Sequence, residues 1–473
     1  MICNLLVGFS ISPASAIAPS QISVLSSENI SSVVSGSILK VYLNVFHPME
    51  KISFTVNFAS SDTTTVITDA VKMAVPPNSG FHFSLVSGAL LSESVLAKPI
   101  KEITDSNGKM LVQVYPAPAD FPLISFSGDT TLISKSDILS TPVVANGTYA
   151  IDSNGKNIKF FIKSPSNLIG FRKITDAPLT PGFGGVPEYA YLEQQDFGVT
   201  ATSPGVWRML DSNFRNVQRI NDVKTKYGTS LPEGHAITVS KAGNPVVIST
   251  ITRNVDSTWL KRGYKLPILD CIISEVHSGI AIKQFSFWDW AVANKSVSEP
   301  LIDKMRLFND PQSASSPIDV CHANSMQFHK ATNDYLISLR SPSILIILDS
   351  NLQKVKKVIE TDNSLQHFAR YYSNTEITAL GNFTFDKVSQ FLDFKLSNGK
   401  WQLKEIPFPV HIPFCGNTQY LDSTHIWLGG GCGPFSPGVL GAIFKVTNST
   451  MVQVGTMNMK DFNYSYRADI VAK

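Results

Sequence analysis

Short runs of apolar and β-branched residues, separated by turn residues, follow one another from Ile22 to the end of the chain. Val, Ile, Phe and Thr dominate these runs, and apolar residues rarely recur at the spacing of a helix. Two neighbouring runs, 38–45 and 52–58, are joined by a proline-bearing segment that is typical of a hairpin or an arch in a sandwich. The pattern predicts an all-β protein.

Three prolines within residues 116–122 interrupt this pattern. Proline fixes φ and has no N–H to donate, so such a segment is a linker or a sheet edge. We therefore predict one domain over 17–122 and a second over 123–473. Residues 1–16 are predicted to be a signal peptide, because an apolar stretch precedes the small-residue pair of a cleavage site, although the usual basic residues are missing.

One pattern recurs after this boundary: a His or Cys, a strand, a turn, and a second strand. Four segments carry it, beginning at His235, His322, His367 and Cys415. Two further strands follow a pair, as at 343–349 and 355–360, or at 390–396 and 401–406. From His322 onward the copies start 45 and 48 residues apart, which matches the roughly 40 to 50 residues of a four-stranded β-propeller blade. At this spacing the second domain holds about six to eight blades.

Repeat position gives the three histidines a common location. The inner strands of all blades line a central channel, so His235, His322 and His367 are predicted to face one another. Arg340 ends an apolar strand of the His322 blade and brings a permanently charged fork of donors. With Asn324, these groups suit a tetrahedral oxyanion such as sulfate or phosphate. The alternative is that each histidine is a buried structural residue.

Zinc is a competing interpretation of a histidine cluster, because imidazole is a common zinc ligand. We weigh it lower, since we find no carboxylate at close spacing to the histidines and an arginine in the same pocket would repel a cation. The sequence has no phosphate-binding loop, dinucleotide fingerprint or nucleophile elbow. We therefore predict no metal and no cofactor.

Composition narrows the range of partners. Only 16% of the residues are charged and 43% are hydrophobic, whereas an average soluble domain has roughly 25% charged residues, so extensive disorder is excluded. Forty basic against 37 acidic residues leave a net charge of +3, too little for nucleic acid or an anionic membrane. No apolar run after the first dozen residues approaches the ~20 residues of a membrane span.

The five cysteines bear on the cellular compartment. A turn at 423–424 puts Cys415 opposite Cys432 on adjacent strands, so we predict a disulfide there, as in an exported protein. Cys321 precedes His322, but neighbours on a strand point to opposite faces, so we interpret Cys321 as a packing residue.

Several of these segments resemble the bacterial arylsulfotransferases, which move sulfate between phenols without phosphoadenosine phosphosulfate. Residues 319–326 with 336–340 resemble the family's most characteristic stretch, and Gln366-His367 resembles the pair that carries its catalytic histidine. Gly234-His235 and Tyr466-Arg467-Ala468 resemble two further segments. Phe368 departs from the family, which usually has a small or acidic residue there. The resemblance implies an N-terminal β-sandwich, a six-bladed β-propeller and a homodimer.

The resemblance also implies roles. His367 would be the nucleophile, transiently sulfated, and the sulfuryl oxygens would be held by four residues: His235, His322, Asn324 and Arg340. A phenolic sulfate ester would be the donor and a phenol the acceptor of a ping-pong reaction in the periplasm or outside the cell. Chemistry agrees, because a neutral imidazole can attack sulfur while positive donors stabilise the charge that spreads over the transferring group. Two alternatives are a non-catalytic binding propeller and an aryl sulfate hydrolase.

Overall fold

A computed structural model describes the backbone of a large part of the chain. The described residues are 22–25, 30–35, 38–43, 52–58, 63–68, 101–105, 108–116, 124–129, 131–133, 136–144, 147–153, 158–164, 167–174, 187–195, 203–210, 216–256, 265–298, 317–362, 364–382, 388–412, 414–431, 438–459 and 462–472. Strands dominate them, and helix occurs among them only within 287–298, which confirms the predicted all-β class. The predicted signal peptide lies outside the described residues.

The chain divides into two compact units. The first comprises Met1–Ser79, Leu91–Phe121 and Lys156–Lys159, and the second comprises Gly80–Leu90, Pro122–Gly155 and Phe160–Lys473. The described strands of the first unit are β1 (Ile22–Leu25), β2 (Ile30–Ser35), β3 (Ile38–Leu43), β4 (Ile52–Phe58), β5 (Thr63–Thr68), β6 (Lys101–Asp105) and β7 (Gly108–Pro116). They form one sheet in the order β1-β4-β5 and another in the order β2-β3-β7-β6. β3 and β4 belong to different sheets, so they do not form a hairpin with each other.

The described part of the second unit begins with fourteen strands and continues through a helix. In chain order its elements are β8 (Ile124–Gly128), β9 (Ser136–Val144), β10 (Gly147–Ser153), β11 (Ile158–Ser164), β12 (Leu168–Lys173), β13 (Tyr189–Gln194), β14 (Gly205–Leu210), β15 (Asn216–Ile220), β16 (Val223–Thr225), β17 (Gly228–Ser230), β18 (Pro232–Val239), β19 (Pro245–Asp256), β20 (Lys265–His277), β21 (Ile280–Ser286), α1 (Phe287–Ala293) and β22 (Ile318–Asp319). The later strands are β23 (Ala323–His329), β24 (Asp334–Leu339), β25 (Ile344–Asp349), β26 (Val355–Glu360), β27 (His367–Ser373), β28 (Glu376–Gly381), β29 (Gln390–Ser397), β30 (Lys400–Pro407), β31 (Asn417–Tyr420), β32 (His425–Gly429), β33 (Val439–Thr447), β34 (Thr450–Met459) and β35 (Phe462–Ala472).

Four sets of consecutive strands form antiparallel meanders, as in a β-propeller: β12–β15, β23–β26, β27–β30 and β31–β34. A larger sheet contains β18–β21, and β35 pairs with β9, so the end of the chain completes a sheet begun near the start of this unit. The four strands predicted at 343–360 and 390–406 match β25, β26, β29 and β30 to within one residue at each end. The second unit thus has a β-propeller-like arrangement.

Successive sheets pack face to face, and the core lies between them. Every position of β24 is buried, and Ile337 of β24 and Ile346 of β25 pack in one cluster with Ile248 of β19 and Ile273 of β20. Strands buried on both faces need continuous apolar runs, which explains the low charged fraction of the chain.

The strand at one end of each of five sheets in the second unit has irregular pairing. The register of pairing shifts between Ile169 and Arg172 in β12, Pro232 and Ile237 in β18, Ala323 and Ser325 in β23, His367 and Arg370 in β27, and Ser465 and Ala468 in β35. Three residues at the starts of repeats also have left-handed backbone conformations: His322 (φ 45°), Phe368 (φ 56°) and Cys415 (φ 59°). Bulges re-aim side chains, and non-glycine residues with positive φ gather at functional sites.

Cys321 is buried in the core, as expected of a packing residue, and it also forms a disulfide with Cys271 that was not predicted from the sequence. The short strand β22 pairs in parallel with β20, matching Ile318 with Ile268. Continued in this register, position 321 comes beside position 271. Cys321 lies between β22 and β23, outside any strand, so the alternation of side chains along a strand does not apply to it.

The predicted disulfide between Cys415 and Cys432 is described only at one end. Cys415 is disulfide-bonded, and Cys432 lies outside the described residues. The register on which the prediction depended was wrong by one residue, because β31 and β32 pair Asn417 with Gly429. Continued in this register, position 431 and not 432 is opposite Cys415.

Candidate functional site

The predicted convergence of the three histidines is observed. His235 lies on β18, His322 in the loop before β23, and His367 begins β27. The ring centroids of His235 and His322 are 5.0 Å apart, and those of His322 and His367 are 6.4 Å apart, with the rings edge to face in both pairs. Residues up to 132 positions apart in the sequence therefore form one cluster.

Two of the histidines are held by carboxylates. Glu233 contacts the Nδ1 atom of His235 and also accepts the His235 backbone N–H at 2.8 Å. Asp319 lies 2.6 Å from the Nδ1 atom of His322 and accepts the His322 backbone N–H at 2.9 Å. The finding from the sequence that no carboxylate accompanies the histidines at close spacing was therefore wrong: the signal was present two residues before His235 and three residues before His322.

The third histidine is held by an amide. The Nδ1 atom of His367 contacts Oδ1 of Asn382, whose Nδ2 donates to the backbone carbonyls of Ile412 at 3.0 Å and Cys415 at 2.8 Å. His367 and Asn382 are both buried. Asn382 was not singled out from the sequence, where it is 15 residues from His367 and carries no local signal.

Burial and neighbouring cations set the charge of the cluster. Burial lowers the pKa of His367 well below its ordinary value, and Arg340, His322, Arg467 and His235 lower it further. Burial also lowers the pKa of His235, although Glu233 opposes this. Both imidazoles are accordingly neutral at pH 7. The pKa of Asp319 is lowered despite its burial, because His322 and two backbone N–H groups stabilise the carboxylate.

Arg340 follows the last residue of β24, and its backbone N–H donates to the His322 carbonyl at 3.1 Å. Burial lowers the pKa of its guanidinium, while Asp319 and Tyr466 act in the opposite direction. Within the described part of the chain the Arg340 guanidinium makes no hydrogen bond or ion pair. It is therefore a donor group available to an anion beside the histidines.

Asn324 lies behind the cluster. Its side chain is fully buried and donates from Nδ2 to the Gln366 carbonyl at 2.7 Å, while its Oδ1 has no partner among the described residues. Gln366 itself donates to Leu339 and Ile344 carbonyls at 3.0 and 2.9 Å. Asn324 thus ties the His322 repeat to the backbone that precedes His367.

Two buried arginines line the cluster from other strands. Arg467 of β35 donates to the His235 carbonyl at 3.1 Å and to the Asn324 carbonyl, and Arg172 of β12 donates to the same His235 carbonyl at 2.8 Å. Tyr466 packs edge-on against His235 with ring centroids 5.1 Å apart. Sequence reasoning noticed Tyr466 and Arg467 only as part of a resemblance and missed Arg172, which is distant in sequence and outside the histidine repeats.

The described residues contain no group of three or more His, Cys, Asp or Glu arranged to hold a metal ion. In the same part of the chain no helix is long and apolar enough to cross a membrane. The arrangement that is present combines neutral imidazoles with cationic donors, which is suited to binding an anion and attacking it.

Comparisons with known proteins give no family. No protein-family model matches the chain, and no curated protein matches it. Among solved structures, the periplasmic gluconolactonase of Pseudomonas aeruginosa is similar at a TM-score of 0.39 and 10% identity, over 71% of this chain and 99% of that one. A hypothetical selenium-binding protein from Sulfolobus tokodaii gives a TM-score of 0.37 and 10% identity, over 67% and 73%. A putative 6-phosphogluconolactonase from Bacteroides fragilis gives 0.35 and 11%, over 72% and 99%.

These likenesses are too weak to carry an argument about this chain. The β-propeller-like arrangement follows from the strand pairing of this chain, and the chemistry of the site follows from the residues of this chain.

Proposed function

We propose that the protein is an arylsulfotransferase that moves a sulfuryl group from a phenolic sulfate ester to a phenol through a sulfohistidine. One observation carries the proposal: a neutral, buried His367 lies beside His322 and the guanidinium of Arg340. A neutral imidazole has the lone pair that nucleophilic attack requires. An unpaired guanidinium is a strong partner for a sulfate ester, whose oxygens carry a single negative charge.

In the first half-reaction the imidazole of His367 attacks the sulfur atom. A nitrogen–sulfur bond forms, the bond between sulfur and the phenolic oxygen breaks, and its electron pair leaves with the phenolate. Arg340 binds the sulfuryl oxygens, where a cationic donor stabilises the charge of a loose transition state, while the neutral His235, held through Nδ1 by Glu233, lines the site. Asn324, whose amide donates to Gln366, acts by positioning the backbone before His367.

Protons are handled by a second histidine. The phenolate oxygen belongs to an acid with a pKa of about 10, so a donor near it assists its departure. His322, backed by Asp319 at 2.6 Å, gives up its Nε2 proton to the leaving oxygen. In the second half-reaction the acceptor phenol returns a proton to His322 as its oxygen attacks sulfur, and His367 is released unchanged.

The remaining features of the proposal concern architecture and location. The four meanders, the sheet that contains β18–β21 and the sheet completed by β35 together make six blades, and the two sheets of the first unit make a β-sandwich. The disulfide between Cys271 and Cys321 suits an oxidising compartment, such as the periplasm or the exterior of the cell. By the resemblance, the protein is a homodimer.

Release of p-nitrophenol from p-nitrophenyl sulfate, measured with and without phenol, tests this function. We expect nitrophenol release that requires phenol, and we expect His367→Ala to lower its rate by about three orders of magnitude or more. His277→Ala is the matched control, since His277 is exposed at the end of β20. A sulfated peptide containing His367, trapped after mixing with donor alone, would identify the intermediate.

The other functions give different results. Release at full rate in water alone would mean that the protein is an aryl sulfate hydrolase. Saturable binding of the donor without release would mean a non-catalytic propeller. Full activity in His367→Ala would contradict the mechanism while leaving the fold unaffected.

A further inference from the structure

The three clustered histidines differ in the atom that holds Nδ1. His235 and His322 face carboxylates, which are acceptors only, whereas His367 faces an uncharged amide. A carboxylate stabilises an imidazolium, but an amide oxygen gives no comparable charge stabilisation. The residue that contacts Nδ1 therefore distinguishes His367 from the other two histidines.

The orientation of the Asn382 amide is fixed by its surroundings. Its nitrogen lies 3.0 Å from the Ile412 carbonyl and 2.8 Å from the Cys415 carbonyl, and both are acceptors only. A flipped amide would place its oxygen against these two carbonyls. The oxygen must therefore face His367, and the Nδ1 atom that contacts it must carry the proton.

We infer that Asn382 is a positioning residue that holds His367 in the Nδ1–H tautomer, so that Nε2 carries the lone pair and remains unprotonated. Among the described residues Nε2 has no hydrogen-bond partner. The part of this inference that concerns catalysis rests on the proposed function: Nε2 is then the atom that attacks sulfur. The tautomer itself follows from geometry alone.

The groups that face His367 reinforce this state. Arg340 approaches from the end of β24, His322 from the loop before β23, Arg467 from β35 and His235 from β18, and each disfavours a second proton on the ring. None of these elements brings a carboxylate into hydrogen-bond contact with His367. A negative charge at position 382 would reverse the balance, because it would favour the imidazolium.

Long-range nitrogen–proton NMR of protein labelled with ¹⁵N-histidine tests the inference directly. His367 is assigned by comparison with His367→Gln. We expect a protonated Nδ1 and an unprotonated Nε2 in the wild type from pH 6 to pH 8. A proton on Nε2, or a doubly protonated ring at pH 7, would overturn the inference, and this measurement needs no variant of Asn382 to fold.

Two substitutions at position 382 extend the test. Asn382→Asp should raise the pKa of His367 by at least one unit, and Asn382→Leu should leave a mixture of tautomers. Asn417→Asp is the matched control, because Asn417 is equally buried and donates to the Ala468 carbonyl at 3.1 Å without contacting a histidine. An unchanged tautomer and pKa of His367 in both Asn382 variants would also overturn the inference.

Activity separates this inference from the proposed function. If sulfuryl transfer occurs, Asn382→Leu should lower kcat by about 10² with little change in KM, as expected for a misplaced nucleophile. If the wild type shows the expected tautomer but transfers no sulfuryl group, the proposed function fails and the assignment of Asn382 stands. If transfer occurs and Asn382→Leu retains full kcat, the catalytic part of the inference fails.

Discussion

Replacing Arg172 and Arg467 with methionine, singly and together, tests whether the two side chains share one hydrogen-bond acceptor, the backbone carbonyl of His235. Both guanidiniums donate to the carbonyl of His235, at 2.8 and 3.1 Å, and both side chains are about 1% exposed. Burial and the neighbouring charge of Arg467 lower the pKa of Arg172 to about 9. The two cations therefore repel each other while they satisfy the same oxygen.

The sign of the coupling follows from this geometry. Each single substitution removes a charged hydrogen bond, worth about 1.5 to 3 kcal/mol, but relieves the repulsion and leaves the His235 carbonyl with one donor. The double substitution relieves the same repulsion only once and leaves the carbonyl without a described donor, which costs about 1 to 3 kcal/mol. The double variant should therefore be less stable than the sum of the single effects by about 1 to 3 kcal/mol.

Urea unfolding followed by tryptophan fluorescence measures the coupling, since Trp207 lies 5.7 Å from the Arg172 guanidinium carbon and linear extrapolation gives each free energy of unfolding. Arg467→Met should be the more harmful single change, because Arg467 also donates to the Asn324 carbonyl and the Tyr466 hydroxyl, whereas Arg172 has one further acceptor, the Gly170 carbonyl at 3.0 Å. Arg208, whose partner is Glu193 at 2.9 Å, provides the control: Arg208→Met with Arg467→Met should be additive. Additivity within about 0.5 kcal/mol for the Arg172 and Arg467 pair would refute the shared-acceptor argument.

Three further predictions concern stability. The folded pKa of Asp319 is lowered, so the unfolded chain takes up the proton first as the pH falls, and the advantage of wild type over Asp319→Asn in thermal unfolding should shrink from pH 5 to pH 3; a constant difference would contradict this. Gly441→Ala should lower the free energy of unfolding by about 1 to 3 kcal/mol in urea, because its new Cβ would overlap the buried ring of Trp427. Replacing Cys271 and Cys321 with alanine should cost about 2 to 4 kcal/mol for a cross-link over a sequence separation of 50, and alkylation of denatured, unreduced wild type should label neither cysteine.

The repeats predicted the class and part of the site because both depend on local signals. The strand pairs after His322 and His367 are bounded by turn residues, so β25, β26, β29 and β30 could be located to within one residue. Histidines at one repeat position then converge because the inner strands of a propeller-like unit do so. The period of the sequence therefore gave a three-dimensional relation without any knowledge of the contacts.

What the period could not predict was the set of groups that fix the histidines. Asn382 and Arg172 lie on parts of the chain without a local cue, and only tertiary packing brings them to His367 and His235. Glu233 lies two residues before His235, and residues two apart on a strand point to the same face. The sequence therefore carried a signal for this carboxylate that was overlooked. The disulfide between Cys271 and Cys321 was missed for another reason. It depends on the parallel pairing of β22, a strand of two residues, which leaves almost no hydrophobic pattern in the sequence.

The register shifts explain why strict alternation is a poor guide to the side chains at the histidine cluster. Along a regular strand, successive side chains point to opposite faces, so one strand can offer the channel at most every second residue. A bulge removes this restriction, and β27 and β35 each have one next to His367 or Tyr466. Tyr466 and Arg467 are consecutive, yet the ring of Tyr466 packs on His235 and the guanidinium of Arg467 reaches the carbonyl of the same residue. The irregular strands therefore concentrate donors at the histidine cluster. A substitution that restored regular pairing there would move these side chains away from the cluster while leaving the sheets folded.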